Sequence, residues 1–446
     1  MRKLVPLFLV LLGYLFVAAL YAANVPPWQA PDEPAHYNYI RQLASGDLPV
    51  IAAGDYDQAY LDEIRSTQFA PQYPIKPIEY EDWQPPLYYL LLTPVYKLFA
   101  GSLPALRFVS LLFGAGVVVL AYGITRLLFP KQAWLALTTA VLAAFIPQHL
   151  AIMASINNDS LAELLIAAVL YALVWWTVRD VPKGSRQETA VFFLLGILLG
   201  LGFLTKGTNY LTAPLIGLVL LWQYWRDWRG LIRAGMPVFV PAFLLGALWW
   251  GRNLIVYGGL DFLGKAAHDS VVVGQPRTAE WIARFGLAGT VEQFARTTFN
   301  SFWGQFGWMA VPLPPRIYLL LLLLLAAAVT GLVVWAVYGR KQTEGRYGRI
   351  HLLLFLLLLL MTASLHIGYN FTFVQHQGRY LYPALIPIAL GIALGLGMWL
   401  MLLIRPFTTR LPQLPYLLPL TLGLGLAALD IFALYRWIIP LLTYAP

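Results

Sequence analysis

Long apolar runs broken by short polar turns dominate this chain. A helix needs about 20 apolar residues to cross a bilayer. By that measure the pattern predicts spans at 4–23, 106–129, 134–153, 160–178, 190–205, 210–225, 234–256, 317–338, 350–367, 380–404 and 416–438. That makes about eleven transmembrane helices. A twelfth apolar stretch, 87–99, is short and interrupted by Pro94, so it is expected to lie on the outer membrane surface as an interfacial helix. Two connections are long. Residues 24–105 form a first extracytoplasmic loop with interfacial helices, and 257–316 form a second. The whole chain, 1–446, reads as one all-α polytopic membrane domain.

Composition supports this reading. Hydrophobic residues make up 59% of the chain and charged residues 11%, against roughly 25% charged in soluble domains. There are no cysteines, which excludes disulfides, thiolate metal sites and cysteine nucleophiles. A net charge of +9 would suggest nucleic acid in a soluble protein, but its distribution follows the membrane. With Arg2 and Lys3 inside, the predicted inner turns carry Arg126 and Lys131; Arg179, Lys183 and Arg186; Arg226, Arg229 and Arg233; Arg340, Lys341, Arg346 and Arg349; Arg405 and Arg410. Each is basic, as the positive-inside bias requires. No nucleic-acid partner is expected. The chain is placed in the plasma membrane with its N-terminus cytoplasmic and its C-terminus outside. The first span reads as an uncleaved signal anchor.

The outer segment 24–86 holds ten of the 21 acidic residues against three basic ones. It opens with Pro26-Pro27-Trp28 and Pro31-Asp32-Glu33-Pro34-Ala35-His36-Tyr37. Prolines end the first span and keep the backbone extended, so Asp32 and Glu33 emerge near the headgroups, and 36–43 can form a short helix. Adjacent carboxylates there need water, a basic partner or a cation; a helix-capping acid in a solvated loop is an equal reading. Tyr80-Glu81-Asp82-Trp83-Gln84-Pro85-Pro86 precedes the interfacial stretch. Asn157-Asn158-Asp159-Ser160 opens the fourth span, where helix capping competes with Asp159 joining Asp32 in a divalent-cation site. Lys206 sits in a tight outer turn, snorkelling or facing a phosphate. Gln375-His376-Gln377-Gly378-Arg379-Tyr380 opens the tenth span. An arginine beside free helix amides suits a phosphate. No histidine pair has metal-ligand spacing.

The order of these motifs, with Leu106-Arg107-Phe108-Val109-Ser110, Arg126-Leu127-Leu128-Phe129-Pro130 and Gly200-Leu201-Gly202-Phe203-Leu204-Thr205-Lys206-Gly207, resembles the GT-C superfamily of membrane glycosyltransferases. It is most similar to the protein O-mannosyltransferase and aminoarabinose transferase group and to related bacterial membrane proteins. The resemblance runs from residue 1 to about 405. It departs where Gln84 replaces a histidine often seen before the double proline. It implies a polyprenyl-phosphate-linked sugar donor and inverting transfer to a glycan, lipid or protein acceptor outside the cytoplasm, within the cell envelope. Asp32, with Glu33 beside it, would act as general base or metal ligand. Arg379 and Lys206 would hold the donor phosphate. His36, Tyr37, Glu81, Asp82, Gln377 and Tyr380 would contact substrate, and Asp32 and Asp159 would share any Mg²⁺ or Mn²⁺. Trp281 and Trp303 in the second long loop are expected to stack on sugar rings.

A transporter or flippase of lipid-linked glycans is the alternative. It would place ionisable groups near mid-membrane. The span interiors here are nearly bare, with Glu163 close to the outer surface and Asp430 within the last helix.

Overall fold

A computed structural model describes residues 4–339, 348–407 and 410–445. Arg2, Lys3, Arg340, Lys341 and Arg346 lie outside the described residues. In chain order the helices are α1 (Val5–Asn24), α2 (Glu33–Ser45), α3 (Gln58–Ser66), α4 (Leu87–Leu98), α5 (Leu103–Leu128), α6 (Ala133–Phe145), α7 (Pro147–Met153), α8 (Asp159–Val178), α9 (Arg186–Phe203), α10 (Thr212–Tyr224), α11 (Trp228–Tyr257), α12 (Lys265–Val271), α13 (Thr278–Trp303), α14 (Pro315–Val334), α15 (Arg349–Tyr369), α16 (Leu385–Ile404), α17 (Leu417–Ala433) and α18 (Ile439–Leu442). A two-stranded antiparallel hairpin, β1 (Gln305–Phe306) with β2 (Val311–Pro312), lies between α13 and α14.

The protein is a multi-pass membrane protein. Nine helices among the described residues are long and apolar enough to cross a bilayer. The expected span 134–153 is a bent pair, α6 and α7, turning by 65°. Pro147 has no N–H to continue the ladder, and α7 starts on it. Counting that pair gives ten by length and apolar content among the described residues. The expected span at 210–225 is a 3₁₀ turn, Gly207–Leu211, followed by α10 of 13 residues; together they rise about 30 Å, the thickness of a hydrocarbon core. The segment runs from Lys206, paired with Asp159, to Tyr224, which donates to Glu188 near the start of α9. α4 has 12 residues with Pro94 inside, too short to span, as expected.

Apolar side chains face outward along the spans. Leu319, Leu320, Leu322 and Leu323 of α14 are exposed, as lipid solvation permits. Small residues mediate the close contacts. Gly331 of α14 and Gly395 of α16 meet so tightly that a methyl on either would overlap the other helix's backbone. α2 is longer than predicted, because Pro34 is tolerated in a first turn, where N–H groups lack helical partners.

The second long connection holds α12, α13 and the hairpin. Gly286, at φ 69°, breaks α13. Trp303 is buried at 1% exposure against Phe302, which corrects its expected role in sugar stacking: its ring is core. Trp281 donates through Nε1 to Gln293.

Candidate active site

Asp32 sits at φ 66°, in the left-handed region, immediately before α2. Its side chain makes no capping bond to the helix, which removes the bland reading of a capping acid. Oδ1 instead accepts from the Tyr80 hydroxyl at 2.9 Å, and Oδ2 from Arg379 Nη2 at 2.6 Å. Arg379 arrives from the 3₁₀ turn Gly378–Ala384. Glycine is needed before it, because a Cβ at 378 would strike the α13 backbone at Thr298 and Phe302. Arg379 is buried, and its Nε and Nη1 have no partner.

A second pair stands beside the first. Lys206 Nζ contacts Asp159 Oδ1 at 2.7 Å, with each side chain about a fifth exposed. His36 lies among these groups, within electrostatic reach of Asp32, Lys206, Asp159 and Arg379. Its Nδ1 is 2.9 Å from the Tyr89 hydroxyl, which also accepts from Asn158 Nδ2 at 3.3 Å. Burial first, outweighing the attraction of Asp32, holds His36 down to about 3. The ring is therefore neutral. Tyr89 satisfies every partner by donating to Nδ1, leaving the ring proton on Nε2.

Burial alone would raise the Asp32 carboxyl. The charge of Arg379, joined by that of His36 only where the ring protonates at low pH, and hydrogen bonds from Arg379 and Tyr80 more than offset this and hold it at about 2. Glu81 is the reverse case. Burial, then the charge of Asp32, pushes it up to about 8, so it is neutral at physiological pH.

Glu33 goes elsewhere. It is fully buried and grips Arg107 of α5 at both oxygens, 2.8 Å to Nε and 2.6 Å to Nη2. It also accepts from the amides of Trp28 and Ile156. Arg107 in turn donates to the carbonyls of Ala22, Val25 and Pro26. Every oxygen of Glu33 is engaged, which corrects the expectation that it shares a catalytic position with Asp32: it pins the end of α1 to α5 and α8. Sequence reasoning missed Arg107. The available signal was an arginine one turn inside an apolar span, which demands a buried partner.

The other expected contacts divide. Tyr380 lies beneath the Arg379 guanidinium, 5.5 Å from its ring centroid. Gln377 bonds Gln375. Tyr37 is not in the cluster: its ring packs on Trp28 and Tyr96, and its hydroxyl bonds Gly101. Asp82 faces Gln42 at 2.7 Å, with burial pushing it up to about 8, on the side of Glu79 and Asp55. Asp430 is buried within α17, beside Tyr21.

The residues present do not form a cage for a divalent cation. Asp32 and Asp159 do come into one electrostatic neighbourhood, but each already holds a cationic side chain. No group of three or more His, Cys, Asp or Glu among the described residues could hold a metal.

The family described as dolichyl-phosphate-mannose-protein mannosyltransferase matches residues 58–257. An undecaprenyl phosphate-alpha-4-amino-4-deoxy-L-arabinose arabinosyl transferase of Aeromonas salmonicida is 32% identical over 158 residues, 34% of this chain and 27% of that protein. One from Yersinia enterocolitica is 28% identical over 146 residues, 32% and 26% of the two chains. The match therefore spans about a quarter of these relatives' own length. Among solved structures, the Archaeoglobus fulgidus oligosaccharyltransferase in complex with Zn and sulfate aligns with a TM-score of 0.54 at 14% identity, over 94% of this chain and 52% of that one. ArnT from Cupriavidus metallidurans bound to undecaprenyl phosphate aligns at 0.51 and 14% identity, over 98% and 73%. At such identities the likeness is one of fold. The chain shares the fold of these two membrane proteins, in line with its expected all-α polytopic architecture.

Proposed function

We propose that this GT-C-type chain transfers a sugar from a polyprenyl-phosphate donor to an acceptor hydroxyl on the extracytoplasmic side of the plasma membrane. One observation carries the reading. A carboxylate and a guanidinium with two unmet donors form a pair at the start of α2, next to a lysine–aspartate pair. A donor phosphate entering between Arg379 and Lys206 finds two cations, and charge-assisted bonds to phosphate are strong. Taking Arg379 releases Asp32 from its main partner. The freed carboxylate is then a stronger base, since the charge that depressed it is shared with phosphate.

Asp32 takes the acceptor's hydroxyl proton as the acceptor oxygen bonds to the anomeric carbon. The bond from that carbon to the phosphate oxygen breaks on the opposite face, inverting the centre. Polyprenyl phosphate leaves with its extra charge held by Arg379 and Lys206. Both side chains lie near helix ends, so the lipid tail can stay in the bilayer. A divalent cation such as Mg²⁺ or Mn²⁺ enters this reading only as a rival to Arg379 at Asp32. Chelator treatment should leave transfer intact.

Sidedness follows from individual helices. Arg107, Asp159 and Lys206 mark the site end of α5, α8 and α9, while Arg126, Arg179 and Arg186 mark their other ends. The positive-inside bias puts the latter in the cytoplasm, the N-terminus with them and the C-terminus outside. Incubating the purified chain with polyprenyl-phosphate sugars and an acceptor panel tests the proposal. Wild type should transfer one of them. Asp32→Asn and Arg379→Ala should each cut the rate at least a hundredfold, and unchanged rates in both would overturn the assignment.

A further inference from the structure

Asn158 stands at the N-terminus of α8, where an asparagine is ordinarily a helix cap. Its side chain does not cap. It is 0% exposed, its Nδ2 is spent on the Tyr89 hydroxyl, and its Oδ1 is buried without a partner. Gln84, 7% exposed, likewise buries an unpartnered Oε1. Its backbone carbonyl is bonded by Tyr39, whose ring stacks on Tyr89 at 3.8 Å. Glu81 buries an unpartnered Oε2 and sits in the electrostatic field of both Tyr89 and Asp32.

Three unmet oxygens thus belong to residues that each interact with Tyr89 or with the Tyr39 stacked on it. Orphaned buried polar atoms are uncommon, and each calls for an explanation. The Asn158 and Gln84 oxygens are acceptors, and the neutral Glu81 carboxyl can accept or donate. The same two stretches, before α4 and at the start of α8, also bury the unpartnered donors Trp83 Nε1 and Asn157 Nδ2. A wall with unmet groups of both kinds suits sugar hydroxyls, which donate and accept. Arg379 and Lys206 are the phosphate-like end of the same neighbourhood.

We infer that Asn158, Gln84 and Glu81 form a hydroxyl-reading subsite for the sugar ring of the donor, on the His36–Tyr89 flank of Asp32. The inference rests on the proposed lipid-phosphate donor and names what recognises its sugar. The subsite accepts hydrogen bonds from ring hydroxyls, while the phosphate is held by the two cations. Sugar recognition and phosphate recognition are therefore separable by substitution.

The test measures binding of bare undecaprenyl phosphate and of a panel of undecaprenyl-phosphate-linked hexoses and pentoses to the full chain in nanodiscs. Gln84→Leu and Asn158→Leu should each weaken the best sugar-bearing lipid about tenfold, the scale of one neutral hydrogen bond lost to a buried group. Binding of bare undecaprenyl phosphate should stay within about twofold. Glu81→Gln, close to isosteric and neutral, guards against misfolding and should keep most of the sugar discrimination, whereas Glu81→Leu should lose it. Equal weakening of sugar-bearing and bare lipid, or no weakening of either, overturns the subsite while leaving the donor assignment standing. If wild type binds neither lipid, the donor assignment falls and takes the subsite with it.

Discussion

Replacing Glu33 separates a structural carboxylate from a chemical one at adjacent positions. Glu33 and Arg107 are 0% and 2% exposed and joined by two bonds. Glu33→Ala leaves a buried guanidinium without its counter-charge, a loss that costs about 3–5 kcal/mol. It also strands the amides of Trp28 and Ile156, each worth about 1–3 kcal/mol when left unsatisfied. The terms overlap, because Arg107 keeps its three carbonyl acceptors. The expected total is at least about 4 kcal/mol. Glu33→Gln keeps the shape and one good acceptor but not the charge, and should cost about 3 kcal/mol. Asp32→Asn, at a site 22% exposed, should cost less than about 2 kcal/mol, because solvent and ions reach the freed Arg379. Detergent-solubilised protein titrated with SDS and followed by tryptophan fluorescence reports the midpoints, with transfer assayed on the same samples. If Glu33→Gln unfolds within about 1 kcal/mol of wild type yet abolishes transfer, the assignment of Glu33 to the scaffold is wrong.

Further outcomes are expected. Lys206→Ala should weaken binding of polyprenyl phosphate by at least tenfold and flatten its salt dependence, which titration calorimetry at two ionic strengths would show. Glu81 and Asp82 have folded values raised to about 8. Their stabilising share is therefore present below their unfolded values, near 4, and is lost as pH rises through about 8. Thermal midpoints should fall between about pH 4 and pH 8 and level off above, and Glu81→Gln should flatten part of that fall. Asp32, lowered to about 2, contributes in the opposite sense: its share is present above its unfolded value and is lost as pH falls through about 2. Gly395→Leu, aimed into the Ala328 carbonyl, should lower the unfolding midpoint by more than 2 kcal/mol without changing the affinity of surviving protein for donor lipid.

The sequence by itself determined the membrane class and the positions of the long spans. Those features depend on local quantities: run length, proline, and the sign of charge at each turn. Asp32, Lys206 and Arg379 could be singled out as candidates, because a charged group beside an apolar run stands out one residue at a time. Tertiary structure decided which charges meet. Asp32 and Glu33 are neighbours in sequence, yet the left-handed turn at Asp32 sends one carboxylate to Arg379, 347 positions away, and the other to Arg107, 74 positions away. Nothing local distinguishes them. The same holds for Asn158, where a cap-like residue at a helix start proved to spend its amide on Tyr89, and for Trp303, whose ring was claimed by the core. Periodicity and composition report what each segment can do alone, and the pairing of buried charges is a property of the packed assembly.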